Sequence, residues 1–233
     1  MKTIIQTLIL TLSLVLFTAC SGRGNTTTNT GATTTTTITY NGTTYGFVTS
    51  PYTGKVWLDR NLGAARVCTS FNDTACYGDY YQWGRNADGH ENSISGTVGV
   101  QATDVNNTGN TFFVIGFSDW ASVDVNGSQR SANWSKTDGS SVCPIGFRVP
   151  TLFELKAETL DQNVTNSATA FANFLKLPSA GYRSYIDGSM GNLDLAGFLW
   201  GSPGVGVTSF AFVGAGWGSG SSGNGLSVRC LKN

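Results

Sequence analysis

Apolar residues in this chain come first in one long run and then in many short ones. Ile4 to Phe17 is dominated by hydrocarbon side chains, whereas residues 21–37 (SGRGNTTTNTGATTTTT) carry almost none. From Ile38 onward the chain looks globular, with short apolar-alternating stretches separated by Gly, Asn, Asp and Ser. Alternation places successive side chains on opposite faces of a strand, so Thr44–Ser50, Lys55–Asp59, Phe112–Gly116, Ser209–Val213 and Leu226–Leu231 are predicted strands. Helical periodicity is scarce. One helix is expected after Pro150, where Thr151 and Glu154 form a capping-box pattern and Leu152, Leu155 and Leu160 supply a buried stripe. A second is expected over Ser167–Lys176, with Ala168, Phe171, Ala172 and Leu175 inward, stopping before Pro178. The stretch from Asp88 to Ser141 reads as loop, and no internal repeat is visible.

The first apolar run is too short to cross a bilayer as a helix and has the length of a signal-peptide core. It ends in Phe17-Thr18-Ala19-Cys20, a small residue directly before a cysteine. This resembles a bacterial lipobox, with Phe17 where Leu is usual. On that reading residues 1–19 are a signal peptide and Cys20 is the lipid-bearing thiol. Residues 20–40 then form the lipidated Cys and a Thr-rich tether, and the folded domain is 41–233. The protein would be lipid-anchored at a bacterial cell envelope, and Ser21 favours the outer membrane in a Gram-negative host. The competing reading is ordinary secretion with an unmodified Cys20. A coil of ~20 residues gives the tether a reach of roughly 25 Å.

Charge narrows the partners. Charged residues make up 12% of the chain, against about 25% in an ordinary soluble domain. Lys plus Arg and Asp plus Glu stand at 14 each, so there is no basic surface to release counterions and a nucleic-acid partner is excluded. Lys2 and Arg23 are the only charged residues before Ile38, so the low charge belongs to the folded domain. With 30 glycines and a 40% hydrophobic fraction, a core is affordable but the surface must be polar through Ser, Thr and Asn.

Four cysteines follow Cys20: Cys68, Cys76, Cys143 and Cys230. An even number in an exported chain suggests disulfides, in one of three pairings. The short separation favours Cys68–Cys76 as a local clip, which leaves Cys143–Cys230. A zinc site would want a CxxC spacing that is missing.

Several blocks resemble the Fibrobacter succinogenes major paralogous domain family. They are Val56-Trp57-Leu58-Asp59-Arg60-Asn61-Leu62-Gly63-Ala64; Gly78-Asp79-Tyr80-Tyr81-Gln82-Trp83-Gly84-Arg85 with Ala87-Asp88-Gly89-His90; and Cys143-Pro144-Ile145-Gly146-Phe147-Arg148-Val149-Pro150-Thr151. Leu177-Pro178-Ser179-Ala180-Gly181-Tyr182-Arg183 with Asp187-Gly188-Ser189, and the final Ser227-Val228-Arg229-Cys230, follow in order. The resemblance implies an α+β, C-type-lectin-like fold of the version shared with formylglycine-generating enzymes, with two short helices, short twisted antiparallel strands and long irregular loops. It also supports the Cys143–Cys230 pairing, and it carries over no catalytic residues.

Candidate chemistry is sparse. His90, the only histidine, sits in a polar Gly turn and is expected to bond Asp88 locally. Asp104, Asn106 and Thr108 match the first half of a calcium loop, but Ile115 stands where the closing Glu belongs. No cofactor is expected, and these three are the weak calcium candidates. Arg60, Arg148, Arg183 and Arg229 are expected to pair with Asp59, Asp79 or Asp187, or to bond loop carbonyls. The C-terminal aromatics and glycines suggest a contact face. C-type-lectin-like proteins of this layout resemble the variable targets of diversity-generating retroelements. Ser184, Leu195, Ala196, Phe198, Ser209, Ala211, Val213 and Trp217 sit where diversified residues would lie. The expectation is a monomeric, non-catalytic module that binds a protein or glycan. The alternatives are an envelope enzyme related to the formylglycine generators, or a structural envelope protein without a specific ligand.

Overall fold

A computed structural model describes residues 37–202, 209–211, 216–218 and 220–233. In chain order the strands are β1 (Thr37–Tyr40), β2 (Thr43–Thr49), β3 (Val56–Leu58), β4 (Tyr81–Gln82), β5 (Thr97–Val98), β6 (Phe113–Val114) and β7 (Phe147–Arg148). They continue as β8 (Tyr182–Arg183), β9 (Met190–Gly191), β10 (Phe198–Trp200), β11 (Ser209–Ala211), β12 (Gly216–Gly218), β13 (Gly225–Leu226) and β14 (Leu231–Lys232). The helices are α1 (Ser128–Trp134), α2 (Leu152–Glu158) and α3 (Ser167–Ala172). The class is α+β: few short helices with short, mostly antiparallel strands. No helix among the described residues is long and apolar enough to cross a membrane.

The main sheet has the order β1-β2-β3-β14-β7. Its fourth position is taken by the last strand of the chain, where Leu231 pairs with both Trp57 and Arg148. The first and last described segments are thus joined in one sheet. β1 pairs with β2 through Thr37–Tyr40, so the folded body begins ahead of residue 41, inside the segment expected to be tether. Smaller sheets follow in the orders β4-β13-β8-β9 and β10-β11-β12, with β5 and β6 as a parallel pair.

The expected strand Leu226–Leu231 is two strands with a break between them. Its alternation is real: Leu226, Val228 and Cys230 all enter one core, and Leu231 enters the next. But Arg229 is also buried, and its Nε donates to Asn61 Oδ1 at 3.1 Å while Nη1 donates to Leu175 O at 2.8 Å. Seating that guanidinium goes with a backbone outside a regular ladder, in which the carbonyls of Val228 and Cys230 accept from the Leu62 and Leu58 amides.

Two cores flank the main sheet. One packs Tyr45, Leu58, Trp83, Trp134, Phe147, Val149 and Trp200 around Cys143 and Cys230. The other packs Trp57, Leu175, Leu177 and Leu231 against α2 and α3. Both disulfides have the expected partners, Cys68–Cys76 and Cys143–Cys230, the latter spanning 87 residues. Closing a loop of that length stabilises by roughly 4–5 kcal/mol in the chain-entropy model.

α2 forms as expected. Thr151 Oγ1 accepts from the Glu154 amide at 3.2 Å and Glu154 Oε2 accepts from the Thr151 amide at 2.8 Å. Both Glu154 oxygens also receive Arg148 at 2.8 Å. α3 is shorter than expected and its inward face is half as expected: Phe171 packs partly buried and Leu175, just past the helix, is fully buried, whereas Ala170 takes the core position and Ala168 and Ala172 are exposed. Asn166 caps the helix, since its side chain accepts from the Thr169 amide. The third helix, α1, lies in the stretch expected to be loop. Asp124, four residues ahead of it, accepts from the Gln129 and Arg130 amides at 3.0 Å each, and Arg130 and Trp134 form its buried stripe.

Candidate functional site

The block from Gly78 to Glu91 is where most of the chain's buried polar chemistry gathers. Gln82 is fully buried and fully bonded: its Nε2 donates to Val114 O and Gly223 O, and its Oε1 accepts from Arg85 Nη1 and the Val114 amide. Arg85 donates Nε to Asp88 at 2.8 Å, Nη1 also to Phe112 O, and Nη2 to Thr108 Oγ1 and Asn110 O. Burial would raise the Asp88 pKa, but the bonds from His90 and Arg85 outweigh that and hold it at about 2.

His90 is completely buried in this network. Its Nε2 accepts from the Gln82 amide at 3.1 Å, so that nitrogen carries no proton and Nδ1 donates to Asp88 Oδ1 at 2.8 Å. Burial lowers its pKa, which keeps the ring neutral. The local bond to Asp88 is the expected one. Asp88, His90 and Glu91 are close enough to hold a metal ion. Both imidazole nitrogens are engaged within the protein, however, which leaves no lone pair to coordinate one and no free base to activate a nucleophile.

The motif arginines are fold-specifying. Arg60 lies beside Asp59 at 3.4 Å and donates to Thr44 O. Arg183 donates to the carbonyls of Gly188, Asn92 and Ser95 and to Ser95 Oγ. Arg229 bonds carbonyls and Asn61, as described. Arg148 donates to the Val149 carbonyl, but its carboxylate partner is Glu154 across the α2 cap and none of the expected aspartates.

The expected contact positions divide. Leu195 is exposed at 68%, and its carbonyl accepts from Ser167 Oγ. Ala196 is 1% exposed and cannot touch a ligand: it is buried by the turn in which its amide donates to Asn192 O and its carbonyl accepts from Gly181 N. Ser184 and Phe198 come together in a cleft of about 200 Å³ with Tyr182, Tyr185, Ile186 and Leu226. Phe198 meets Tyr182 edge-on with ring centroids 5.5 Å apart. The backbones of Ser209, Ala211 and Trp217 lie on β11 and β12, in register beside β10. Val213 falls outside the described residues.

A larger hollow of about 560 Å³ went unrecognised in the sequence. Its walls are the loops 85–88 and 105–111 and the stretch from Asn133 to Ser140. Two calcium candidates line it, in other roles. Asn106 Oδ1 accepts from Asn133 Nδ2 at 2.7 Å, and Thr108 Oγ1 donates within the Asp88 network. Asp104 Oδ1 caps the Asn106 amide at 2.8 Å, an Asx turn. The available signal was the Asn-rich string from Asn106 to Asn110, in which Asn107 and Asn110 cap local amides and Asn106 reaches Asn133.

No protein-family model, curated protein or solved structure matches this chain.

Proposed function

We propose that this protein is a lipid-anchored binding module displayed at a bacterial envelope. It belongs, on this reading, to the Fibrobacter succinogenes major paralogous domain family, with a C-type-lectin-like fold. It recognises a protein or glycan partner through the aromatic cleft around Phe198 and performs no chemistry there. The observation that carries the reading is the way the cleft is held. Tyr182, Ser184 and Tyr185 flank Arg183, whose guanidinium is buried and bonded to the carbonyls of Gly188, His90, Asn92 and Ser95, and Tyr185 is fixed by Asn224 Oδ1 at its amide. A face ordered before binding loses little entropy on binding, and half-buried aromatics are the side chains that dominate recognition energies.

An enzyme of the formylglycine-generating kind needs a reactive thiol. The four cysteines of the folded body are spent in disulfides and His90 is spent in its network, which favours the binding reading. Anchorage rests on the Cys20 motif. Cys20→Ser is expected to move the protein from the membrane fraction to the soluble one, and an unchanged distribution removes the anchor. For the cleft, the full-length protein is screened against intact cells and immobilised glycans. Phe198→Ala and Trp217→Ala are expected to abolish the strongest signal, and undiminished binding rejects the face. A near-copy of the last coding segment differing only at adenines, beside a reverse transcriptase gene, is the expected mark of a diversified face.

A further inference from the structure

Asn-x-Ser/Thr is the acceptor sequence for N-linked sugar transfer on exported chains. It recurs through the folded body, and at three places an aspartate stands two residues ahead of the asparagine: Asp104-Val105-Asn106-Asn107-Thr108, Asp124-Val125-Asn126-Gly127-Ser128 and Asp161-Gln162-Asn163-Val164-Thr165. An acid at that position gives a transferase a carboxylate to pair with a cation of its own, and it is the form of the acceptor that bacterial transferases read. Asn41, Asn72 and Asn133 have Thr39, Ser70 and Ser131 there instead.

Their surroundings separate the three. At the first, the Thr108 hydroxyl is spent on Asp88 and on Asn110 O, and Asn106 Oδ1 accepts from Asn133 Nδ2. At the second, the Asp124 side chain is 1% exposed, pairs with Arg130 and caps α1, so no other protein can reach it. Ser128 Oγ donates back to that carboxylate at 3.3 Å. At the third, the motif groups are open. The Asp161 side chain is 51% exposed, with Lys156 Nζ at 3.7 Å. Asn163 and Thr165 are exposed, and neither the Asn163 side-chain amide nor the Thr165 hydroxyl has a hydrogen-bond partner among the described residues.

The backbone presents this third copy. Leu160–Gln162 is a 3₁₀ turn, and Asn163 closes it in the left-handed region at φ 59°, which asparagine tolerates better than most residues. Val164 is buried in the second core with Leu155 and Leu175. The chain is therefore held by the middle residue of the motif, with the two residues that a transferase reads left in solvent on either side.

We propose that Asn163 is a modification site, the acceptor of an N-linked saccharide added at the envelope. The donor is an oligosaccharide carried on a lipid diphosphate. Asn163 Nδ2 attacks C1 of its first sugar: the N–C1 bond forms, the bond from C1 to the diphosphate oxygen breaks, the amide nitrogen gives up one proton and the lipid diphosphate leaves with the electron pair. A saccharide on Asn163 projects into solvent without displacing a hydrogen bond of the folded body. It also adds hydration to a surface on which only 12% of the chain's residues are charged. The proposal rests on the export reading of Ile4–Phe17 and is independent of the Phe198 cleft.

The test is intact-mass measurement and glycopeptide mapping of the full chain taken from the envelope of its own bacterium. Wild type is compared with Asn163→Gln, Thr165→Ala, Asp161→Asn and Asn126→Gln, with thermal melts confirming that each folds. A sugar mass on Asn163 is expected in wild type and in Asn126→Gln. It should be lost in Asn163→Gln and in Thr165→Ala, which changes an exposed side chain and keeps the test sound if the left-handed position rejects Gln. Occupancy should fall severalfold in Asp161→Asn. Unmodified Asn163 in a chain that has lost its leader overturns the proposal and leaves export standing, whereas an unmodified chain that retains its leader overturns both. A sugar mass that persists in Thr165→Ala, full occupancy in Asp161→Asn, or equal occupancy of Asn106, Asn126 and Asn163 would each overturn it as well.

Discussion

The polar hollow and the aromatic cleft are built on the same device and end with opposite surfaces. Each rests on a buried arginine: Arg85 under the hollow, Arg183 under the cleft. In each the guanidinium is surrounded by carbonyls and covered by a ring, Trp120 at 5.6 Å over Arg85 and Phe113 at 4.3 Å over Arg183. The difference lies in the partners. Arg85 has a carboxylate, Asp88, and its network extends through Thr108 and Asn110 into the wall. Arg183 has hydroxyl and carbonyl partners only, and the residues flanking it present Tyr182, Ser184 and Tyr185 outward. A chain with few charges can still fix irregular loops if it buries those charges as multi-donor ties. What the loop then shows to solvent is free to vary.

Removing the disulfide that is buried in the core and lines neither region should have the largest effect. Cys143→Ala/Cys230→Ala opens the 87-residue closure and is expected to cost roughly 4–5 kcal/mol, read by urea denaturation. Recovery of wild-type stability would show that β14 alone holds the two ends of the sheet. Next is Arg85→Met, which strands Asp88 in a partly buried site and is expected to cost about 3 kcal/mol. The comparison is sharpened if the loss is local: amide exchange should rise at residues 105–112 and stay unchanged at 182–186. Equal loosening of both regions contradicts separate ties.

A smaller effect concerns pH. Burial, with the nearby charge of Glu91, pushes the Asp79 carboxyl up to about 6. The folded protein therefore holds a proton that the unfolded chain releases near pH 4, so stability falls as pH rises from about 4 through 6. Asp79→Asn should remove that slope and raise stability at pH 7 by up to about 3 kcal/mol. Asp88 and Glu154 act in the opposite sense. Both are held at about 2, so the stability they contribute is present above about pH 4 and is lost as pH falls toward 2. A stability maximum near pH 4–5 in the native chain, moving upward in Asp79→Asn, is the expected profile. Unchanged profiles reject the assignment. The smallest effect is ionic strength: binding at the Phe198 cleft should change little with added salt, since no charged side chain lines it.

Legibility in the sequence follows how local each cause is. β2, β3 and the α2 capping box were readable because alternation and a Thr-x-x-Glu spacing act over a few residues. The disulfide pairing was readable because one separation is short. α1 was missed because its cap, Asp124, stands four residues ahead of the helix with Gly127 between them, and its stripe is only Arg130 and Trp134. On α3 the large apolar positions, Phe171 and Leu175, were legible, but the small alanines carry too little apolar area to show which of them, Ala168, Ala170 or Ala172, turns inward. Leu226–Leu231 alternates like one strand, yet Arg229 turns inward to carbonyls supplied by Leu58 and Leu175, which no local pattern reveals. Phe198 and Ser184 were legible as surface candidates from their positions. The hollow was not, because it is made by loops from three separate stretches whose asparagines read as turn formers.

Recognition is proposed to be seated on the Phe198 cleft. Its most direct test is the binding of full-length protein in lipid vesicles to intact cells and a glycan array, wild type beside Phe198→Ala. A strong wild-type signal that disappears in folded Phe198→Ala is the predicted result. Equal signals from the two proteins, or no signal from wild type on either surface, would contradict it.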